Sequence, residues 1–118
     1  MKEFIENDIV VVKTSGRLTE LQCPRCGGLS LHQNVIQVFH RSEDDPKVWK
    51  TVITENSVET KLAVSLTSDN PSPRRQGMTI SFSCEDCGID RENDVLDLHL
   101  YQHKGSTVLR WRYAKVGR

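Results

Sequence analysis

The stretch CPRCGG, residues 23–28, contains two cysteines that are separated by two residues and followed by two glycines. Such a pair suits a redox site, one half of a disulfide framework or one half of a metal site. A second stretch, CEDCG at residues 84–88, repeats the spacing, so the four cysteines of the chain form two matching pairs. The use that the chain makes of these two pairs decides which fold the sequence predicts.

Two C-x2-C pairs supply the four thiolates that a tetrahedral Zn²⁺ ion accepts. The glycine after each pair can adopt a left-handed conformation, which lets backbone N–H groups approach the sulfurs. The pattern predicts one structural zinc ion. Its ligands are Cys23, Cys26, Cys84 and Cys87.

Two other uses of the cysteines have less support in the sequence. Paired disulfides suit a secreted chain, but MKEFIENDIVVVK (1–13) contains acids and one short apolar run, unlike a signal peptide or a membrane span. A redox pair begins a helix, and no helical periodicity follows either pair. We therefore expect a cytoplasmic protein without a membrane partner, in which clustered cysteines bind metal.

The pattern C-P-x-C-G-G with C-x-x-C-G resembles the paired knuckles of zinc-ribbon proteins, and small uncharacterised bacterial or phage proteins look similar. The resemblance covers the two knuckles and their flanking strands. It implies that the four cysteines bind zinc at the tips of two β-hairpins. The two pairs are separated by residues 27–83, which are 57 residues, whereas a compact ribbon has roughly 15–20 between them. We expect this insert to enlarge the sheet.

The remainder of the sequence alternates between apolar and polar residues, which is typical of β-strands. Candidate strands lie at residues 29–41, 47–54, 57–66, 78–84, 96–101 and 106–113. Residues 68–77, SDNPSPRRQG, predict the longest loop. Short helical turns are expected at 89–94 and near the N-terminus. The predicted fold is a single domain, residues 1–118, mostly β: an antiparallel sheet with two zinc-knuckle hairpins, that is, an enlarged zinc ribbon.

Charge is balanced over the whole chain but not along it. Sixteen Lys and Arg residues match sixteen Asp and Glu residues, which indicates neither a nucleic-acid nor a membrane partner. The segment RWRY (110–113) nevertheless alternates arginines with aromatics, and the 68–77 loop contains two adjacent arginines. Strand alternation predicts that the aromatics of RWRY face the core while its arginines face water. The candidate contact residues are Arg74, Arg75, Arg110 and Arg112.

The sequence indicates binding rather than catalysis. A site closed by four thiolates has no open position for a catalytic water, and no P-loop, dinucleotide fingerprint or nucleophile motif is present. We predict a zinc-stabilised, non-catalytic binding module, and the neutral pI of 6.9 favours a protein-interaction adaptor or regulator. The resemblance to zinc ribbons implies an alternative, a nucleic-acid-binding module of transcription or recombination. A metal-dependent hydrolase or nuclease is a third alternative, and an open sheet edge would allow a homodimer.

Overall fold

The computed structural model describes residues 4–7, 10, 12–16, 18–87 and 95–114. Nine β-strands lie within these residues. They are β1 (Phe4–Asn7), β2 (Val12–Ser15), β3 (Leu18–Leu21), β4 (Leu31–His40), β5 (Lys47–Ile53), β6 (Val58–Val64), β7 (Gly77–Cys84), β8 (Leu96–His103) and β9 (Ser106–Ala114). Two 3₁₀ turns, Ser65–Thr67 and Glu85–Cys87, follow β6 and β7. No helix within the described ranges has the length and apolar character to cross a membrane.

Seven strands form one antiparallel sheet in the order β1-β9-β8-β7-β4-β5-β6, and β2 pairs with β3 in a second, small sheet. The prediction of a mostly β, antiparallel fold is therefore confirmed. The insert between the cysteine pairs supplies β4, β5, β6 and most of β7. It accounts for the half of the large sheet that lies farthest from β1.

Two local predictions are wrong. The expected helical turn near the N-terminus is replaced at residues 4–7 by strand β1, which pairs with β9 because Ile5 packs against the core there. The strand predicted over 57–66 ends at Val64, and Leu66 lies in a 3₁₀ turn with 93 % of its surface exposed. The Ser65 amide still donates to the Pro46 carbonyl in the strand register, but the Ser65 carbonyl accepts from the Ser68 amide in the 3₁₀ turn, and the Ser65 hydroxyl donates to the Asp45 carbonyl. The helical turn expected at 89–94 falls outside the described residues.

The main core lies on one face of the large sheet, at the end that carries β7, β8 and β9. Trp111, Leu98 and Ile80 are directly opposite one another on neighbouring strands and therefore share this face, which we name the cysteine face. Trp111 is completely buried, and its ring centroid lies 5.7 Å from that of Phe82. Leu21 of β3 packs against the same cluster, so the small sheet helps to cover this end.

A second buried group lies on the opposite face, which carries Arg110, His99 and Thr79 and which we name the loop face. Phe39 and Val48 are there and are almost completely buried. Residues 65–77 cover them: the Lys50 ammonium, also on this face, donates to the Ser68 carbonyl at 3.0 Å. A Cβ on Gly77 would overlap the side chains of Asn70 and Pro71. The sheet is therefore covered on opposite faces at its two ends.

Candidate metal centre and exposed surfaces

The strand register brings the two cysteine pairs together. The first pair lies just before β4, and Cys84 is the last residue of β7. Because β4 and β7 are antiparallel and Leu31 pairs with Cys84, the start of β4 meets the end of β7. The Glu85 amide extends this pairing by donating to the Ser30 carbonyl at 3.1 Å.

The four sulfurs lie close enough together to hold one metal ion. All four lie within 4.8 Å of one another. The Cys23–Cys87 and Cys26–Cys87 sulfurs are 3.5 Å apart, and the Cys26–Cys84 sulfurs are 3.6 Å apart. Four thiolates at ~2.3 Å from a tetrahedral ion would lie about 3.8 Å from each other. The cysteines are thiols and form no disulfide, so the predicted ligand set fits one metal ion.

The two glycines of CPRCGG have different roles in this site. Gly27 has a φ of +74°, which a glycine adopts without steric cost, and its amide donates to the Cys23 carbonyl at 2.8 Å. The Gly28 amide points at the Cys26 sulfur, 3.4 Å away. A Cβ on Gly28 would overlap the carboxylate of Asp86 in the second pair. Gly27 therefore allows the turn, and Gly28 allows the two pairs to approach each other.

Burial makes the thiolate form of two cysteines unfavourable. It raises the pKa of the Cys84 and Cys87 thiols, and for Cys87 the neighbouring thiols raise the pKa further. Burial also raises the pKa of Cys23, but hydrogen bonds from the backbone N–H groups of Arg25 and Cys26 and from the Cys87 and Cys26 thiols together outweigh it, and the net pKa is lowered. A cation bound by the sulfurs would offset the cost of burying several thiolates together.

The implied placement at two hairpin tips holds for one pair only. Cys84 ends β7 and Cys87 follows it in the connection to β8, and β7 and β8 pair with each other. The first pair lies between β3, which pairs with β2, and β4, which pairs with β5 and β7. That pair is not at a hairpin tip, because residues 22–30 lead the chain from the small sheet into the large one.

Arg74 and Arg75 are exposed on the loop, and each pairs with carboxylates of the same chain. Arg74 donates from Nε and Nη2 to the two carboxylate oxygens of Asp44, at 3.0 and 2.8 Å, and Arg75 donates to Glu43 at 3.0 Å. The hydrogen bonds from Arg74 lower the pKa of Asp44. The Ser72 hydroxyl also ties the loop to β8 by donating to the Gln102 carbonyl at 2.7 Å. The arginines of the loop are therefore ion-paired within the chain.

Arg110 and Arg112 lie on the loop face, while Trp111 and Tyr113 are buried on the cysteine face, as strand alternation predicts. Arg110 pairs with Glu6 at 2.9 Å. The Arg112 guanidinium stacks over the Phe4 ring, 3.9 Å from its centroid. Arg74 and Arg75 line one cavity, and Arg110 and Arg112 line another. The structure therefore does not bring the four candidate contact residues together in one site.

The cavity beside Arg110 and Arg112 is an open polar cleft of about 500 Å³. Asp97, His99 and Glu6 also line it. Burial lowers the pKa of His99, with Arg112 and Arg110 adding to the effect and Asp97 and Glu6 opposing it. Sequence reasoning missed this cleft, although the alternation of polar residues along β8 and β9 is its signal. Among the described residues, the four cysteines are the group arranged to hold a metal ion.

The other exposed surface is apolar and continues the cysteine face beyond the core. Trp49 and Leu62 are cross-strand partners and are 51 % and 46 % exposed. Leu100 and Leu109 are partners on β8 and β9 and are also exposed. We name this surface the apolar half-face; its apolar members are Val38, Trp49, Leu62, Met78, Leu100 and Leu109, and His40, Thr51 and Thr60 lie among them on the same face.

Comparison of the chain with protein-family models, with curated proteins and with solved structures finds no match. The resemblance to zinc ribbons, and to small bacterial or phage proteins, stays a prediction from the cysteine pattern. Four clustered cysteines in a mostly β, antiparallel fold are what is established.

Proposed function

We propose that the chain is a zinc-stabilised protein-binding module without catalysis of its own, in which one structural zinc ion is bound by all four cysteines. Four soft thiolate ligands at near-tetrahedral spacing suit zinc, which has no redox chemistry and prefers this geometry. The ion would supply a cross-link between the start of β4 and the end of β7. Thiols remain available for such a site in a reducing compartment such as the cytoplasm.

The spacing of the sulfurs is the observation that supports zinc most directly, because it matches a site with all four positions filled by protein. A catalytic zinc keeps a position open for water or substrate. Structural zinc contributes on the order of 10–16 kcal/mol in small peptides, comparable to or above the ~5–15 kcal/mol net stability of a domain. The ion would therefore decide whether this end of the sheet folds.

Metal analysis of the purified protein tests the zinc site. We expect about one zinc per chain, and loss of both zinc and the cooperative thermal transition in Cys84→Ser. Ser30→Ala, a change near the site that removes no ligand, serves as the control and keeps both. Well-folded protein that contains no metal would refute the structural zinc.

The apolar half-face is the observation that supports a protein partner. Clusters of exposed apolar side chains often mark a surface that binds something, and aromatic anchors such as a half-exposed Trp49 are typical of protein interfaces. The ion pairs of Arg74, Arg75 and Arg110 weigh against the nucleic-acid alternative, since the partner would have to compete with carboxylates of the same chain. We therefore favour a protein-interaction adaptor or regulator whose partner presents an apolar surface.

Site-specific photo-crosslinking tests this surface in the cells that express the chain. A photoreactive residue at position 109 is expected to capture one defined protein, and the capture should be lost when Trp49→Glu is added. The same residue at position 99, on the loop face, is the matched control and should not capture that protein. Equal capture from both positions, or capture that ignores Trp49→Glu, would contradict the proposal.

Nucleic-acid binding provides an independent check. We expect no salt-dependent binding to single- or double-stranded DNA or RNA, whereas a phosphate-binding surface would lose affinity steeply as salt increases. Salt-dependent binding that weakens in Arg110→Glu and Arg112→Glu would replace our proposal by the nucleic-acid alternative.

A further inference from the structure

Strand β6 is an edge of the large sheet as the described residues form it, and nothing in its own backbone blocks further pairing. It is the last strand in the sheet order and stays in unbroken register with β5 from Val58 to Val64. It contains neither proline nor glycine. An edge of this kind presents unpaired N–H and C=O groups to a further strand. The opposite edge strand, β1, has four residues, whereas β6 has seven.

The side chains of β6 form a pattern that is complementary to itself when the strand is reversed. On either side of Thr60 stand Glu59 and Lys61, which have opposite charges and lie on the loop face. One position further out stand Val58 and Leu62, which are apolar and lie on the cysteine face. An antiparallel copy of this strand therefore meets charge with opposite charge and apolar with apolar.

We propose that β6 pairs antiparallel with β6 of a second copy of this chain, about a two-fold axis at Thr60. In this register Glu59 of each copy is opposite Lys61 of the other, and Val58 is opposite Leu62. Directly opposite residues of antiparallel strands are the pairs that stabilise a sheet. The two seven-stranded sheets then form one continuous sheet.

Neighbouring registers lack this complementarity. A two-fold axis at Lys61 would place the two lysines opposite each other, and an axis at Glu59 would do the same for the two glutamates. An axis at Leu62 would place each Lys61 opposite Ala63 and leave its charge without a partner across the interface. If one strand instead slid along the other by an odd number of residues from the Thr60–Thr60 pairing, residues of the cysteine face would be opposite residues of the loop face, and apolar side chains would meet charged ones. The side-chain pattern thus selects the axis at Thr60.

Two features of the single chain favour pairing of β6 with a strand that places a carboxylate opposite Lys61 and apolar side chains opposite Val58 and Leu62. Lys61 is the cross-strand partner of Lys50, so it already faces a positive charge within its own sheet. Val58 and Leu62 are 69 % and 46 % exposed, and the second copy would bury part of both. The same pairing would join the apolar half-faces of the two copies side by side, since each face continues across a two-fold axis perpendicular to the sheet.

Sedimentation equilibrium of the zinc-loaded protein across the micromolar to millimolar range tests this pairing. We expect a concentration-dependent dimer, together with increased amide protection at residues 58–62 as the concentration rises. Lys61→Glu and Glu59→Lys each create two like-charge pairs per dimer and should weaken dimerisation about tenfold or more. The double variant Glu59→Lys with Lys61→Glu restores both pairs and should restore the dimer. Lys104→Glu, the same charge change in the β8–β9 turn, should leave it unchanged.

Three results would overturn the proposal. The first is a parent protein that stays monomeric at millimolar concentration. The second is a dimer that neither single reversal weakens, which would place the interface on another surface. The third is a double variant that does not recover, which would exclude the register about Thr60.

Discussion

The two ends of the large sheet are covered on opposite faces and by different means. At the end with β7, β8 and β9, three of the cysteines (Cys23, Cys84 and Cys87) and the small sheet pack on the cysteine face with the buried Trp111. At the end with β4, β5 and β6, residues 65–77 lie against the loop face and bury Phe39 and Val48. One sheet therefore has two separate buried regions rather than one layer of core.

This difference explains where the exposed surfaces lie. At the β8–β9 end the open side is the loop face, whose alternating residues are polar, and there the cleft around His99 forms. At the β5–β6 end the open side is the cysteine face, where Trp49, Val58 and Leu62 are exposed and alternate with the hydroxyl pair of Thr51 and Thr60. The covering segments lie on opposite faces at the two ends of the sheet, but the apolar side chains stay on the same face along its whole width. Apolar side chains are therefore exposed at the end where the covering segment lies on the other face.

The two tryptophans of the chain provide the sharpest test of this comparison. Trp111→Ala removes a completely buried ring and should lower the free energy of unfolding by ~3–5 kcal/mol. Trp49→Ala makes the same chemical change at a half-exposed position and should change stability by roughly 0.5 kcal/mol or less. Urea denaturation of both variants measures the difference. Equal losses would mean that the β5–β6 end is covered in solution.

A change that pushes the two cysteine pairs apart should cause a stability loss smaller than that of Trp111→Ala. Gly28→Ala places a Cβ against the Asp86 carboxylate and should cost about 1–3 kcal/mol, as overpacking does. Adding Asp86→Ala should recover most of this loss, because it removes the overlapping oxygens. Thermal denaturation of the two single variants and the double variant measures the recovery. A double variant as unstable as Gly28→Ala would show that the strain lies in the backbone instead.

The cleft on the loop face should give the smallest effect, a change in the dependence of stability on pH. Burial lowers the pKa of His99 in the folded protein, so the unfolded chain binds a proton first as the pH falls below ~6.5. Stability therefore decreases from that pH down to the folded pKa. His99→Gln should flatten this part of the profile in urea unfolding, and His40→Gln, the same change at an exposed position, serves as the control. The cysteine site is the same in all three proteins, so the difference reports His99 alone.

Parts of this structure were predictable because they depend on local pattern. Period-two alternation was enough to place Trp111 in the core and Arg112 on the opposite face, since a strand has only two faces. The spacing of the cysteines was enough to predict that they lie together, because two C-x2-C pairs in one chain are compatible with few kinds of site. The end of β6 was not predictable: Ser65 is held by carbonyls of residues 45 and 46, which are distant in sequence.

The surfaces were less predictable than the core for a related reason. From the sequence alone, Arg74 and Arg75 indicate a basic loop. The fold places Glu43 and Asp44 beside them, and the two arginines form ion pairs with these carboxylates. The order of the strands decides which end of each face is covered, and no local pattern encodes that order. The exposed apolar half-face follows from the order and could be identified only with the fold in hand.

The pairing of Leu31 with Cys84 has a consequence for how the chain folds. Contacts between residues far apart in sequence form slowly, because the chain loses the entropy of closing a long loop before it gains the contact. An ion bound by Cys26 and Cys84 in the unfolded chain would close the loop of residues 27–83 in advance and set the register of β4 against β7. Folding would then become faster as the metal concentration rises, and the cysteine pairs would act as a nucleus as well as a clamp.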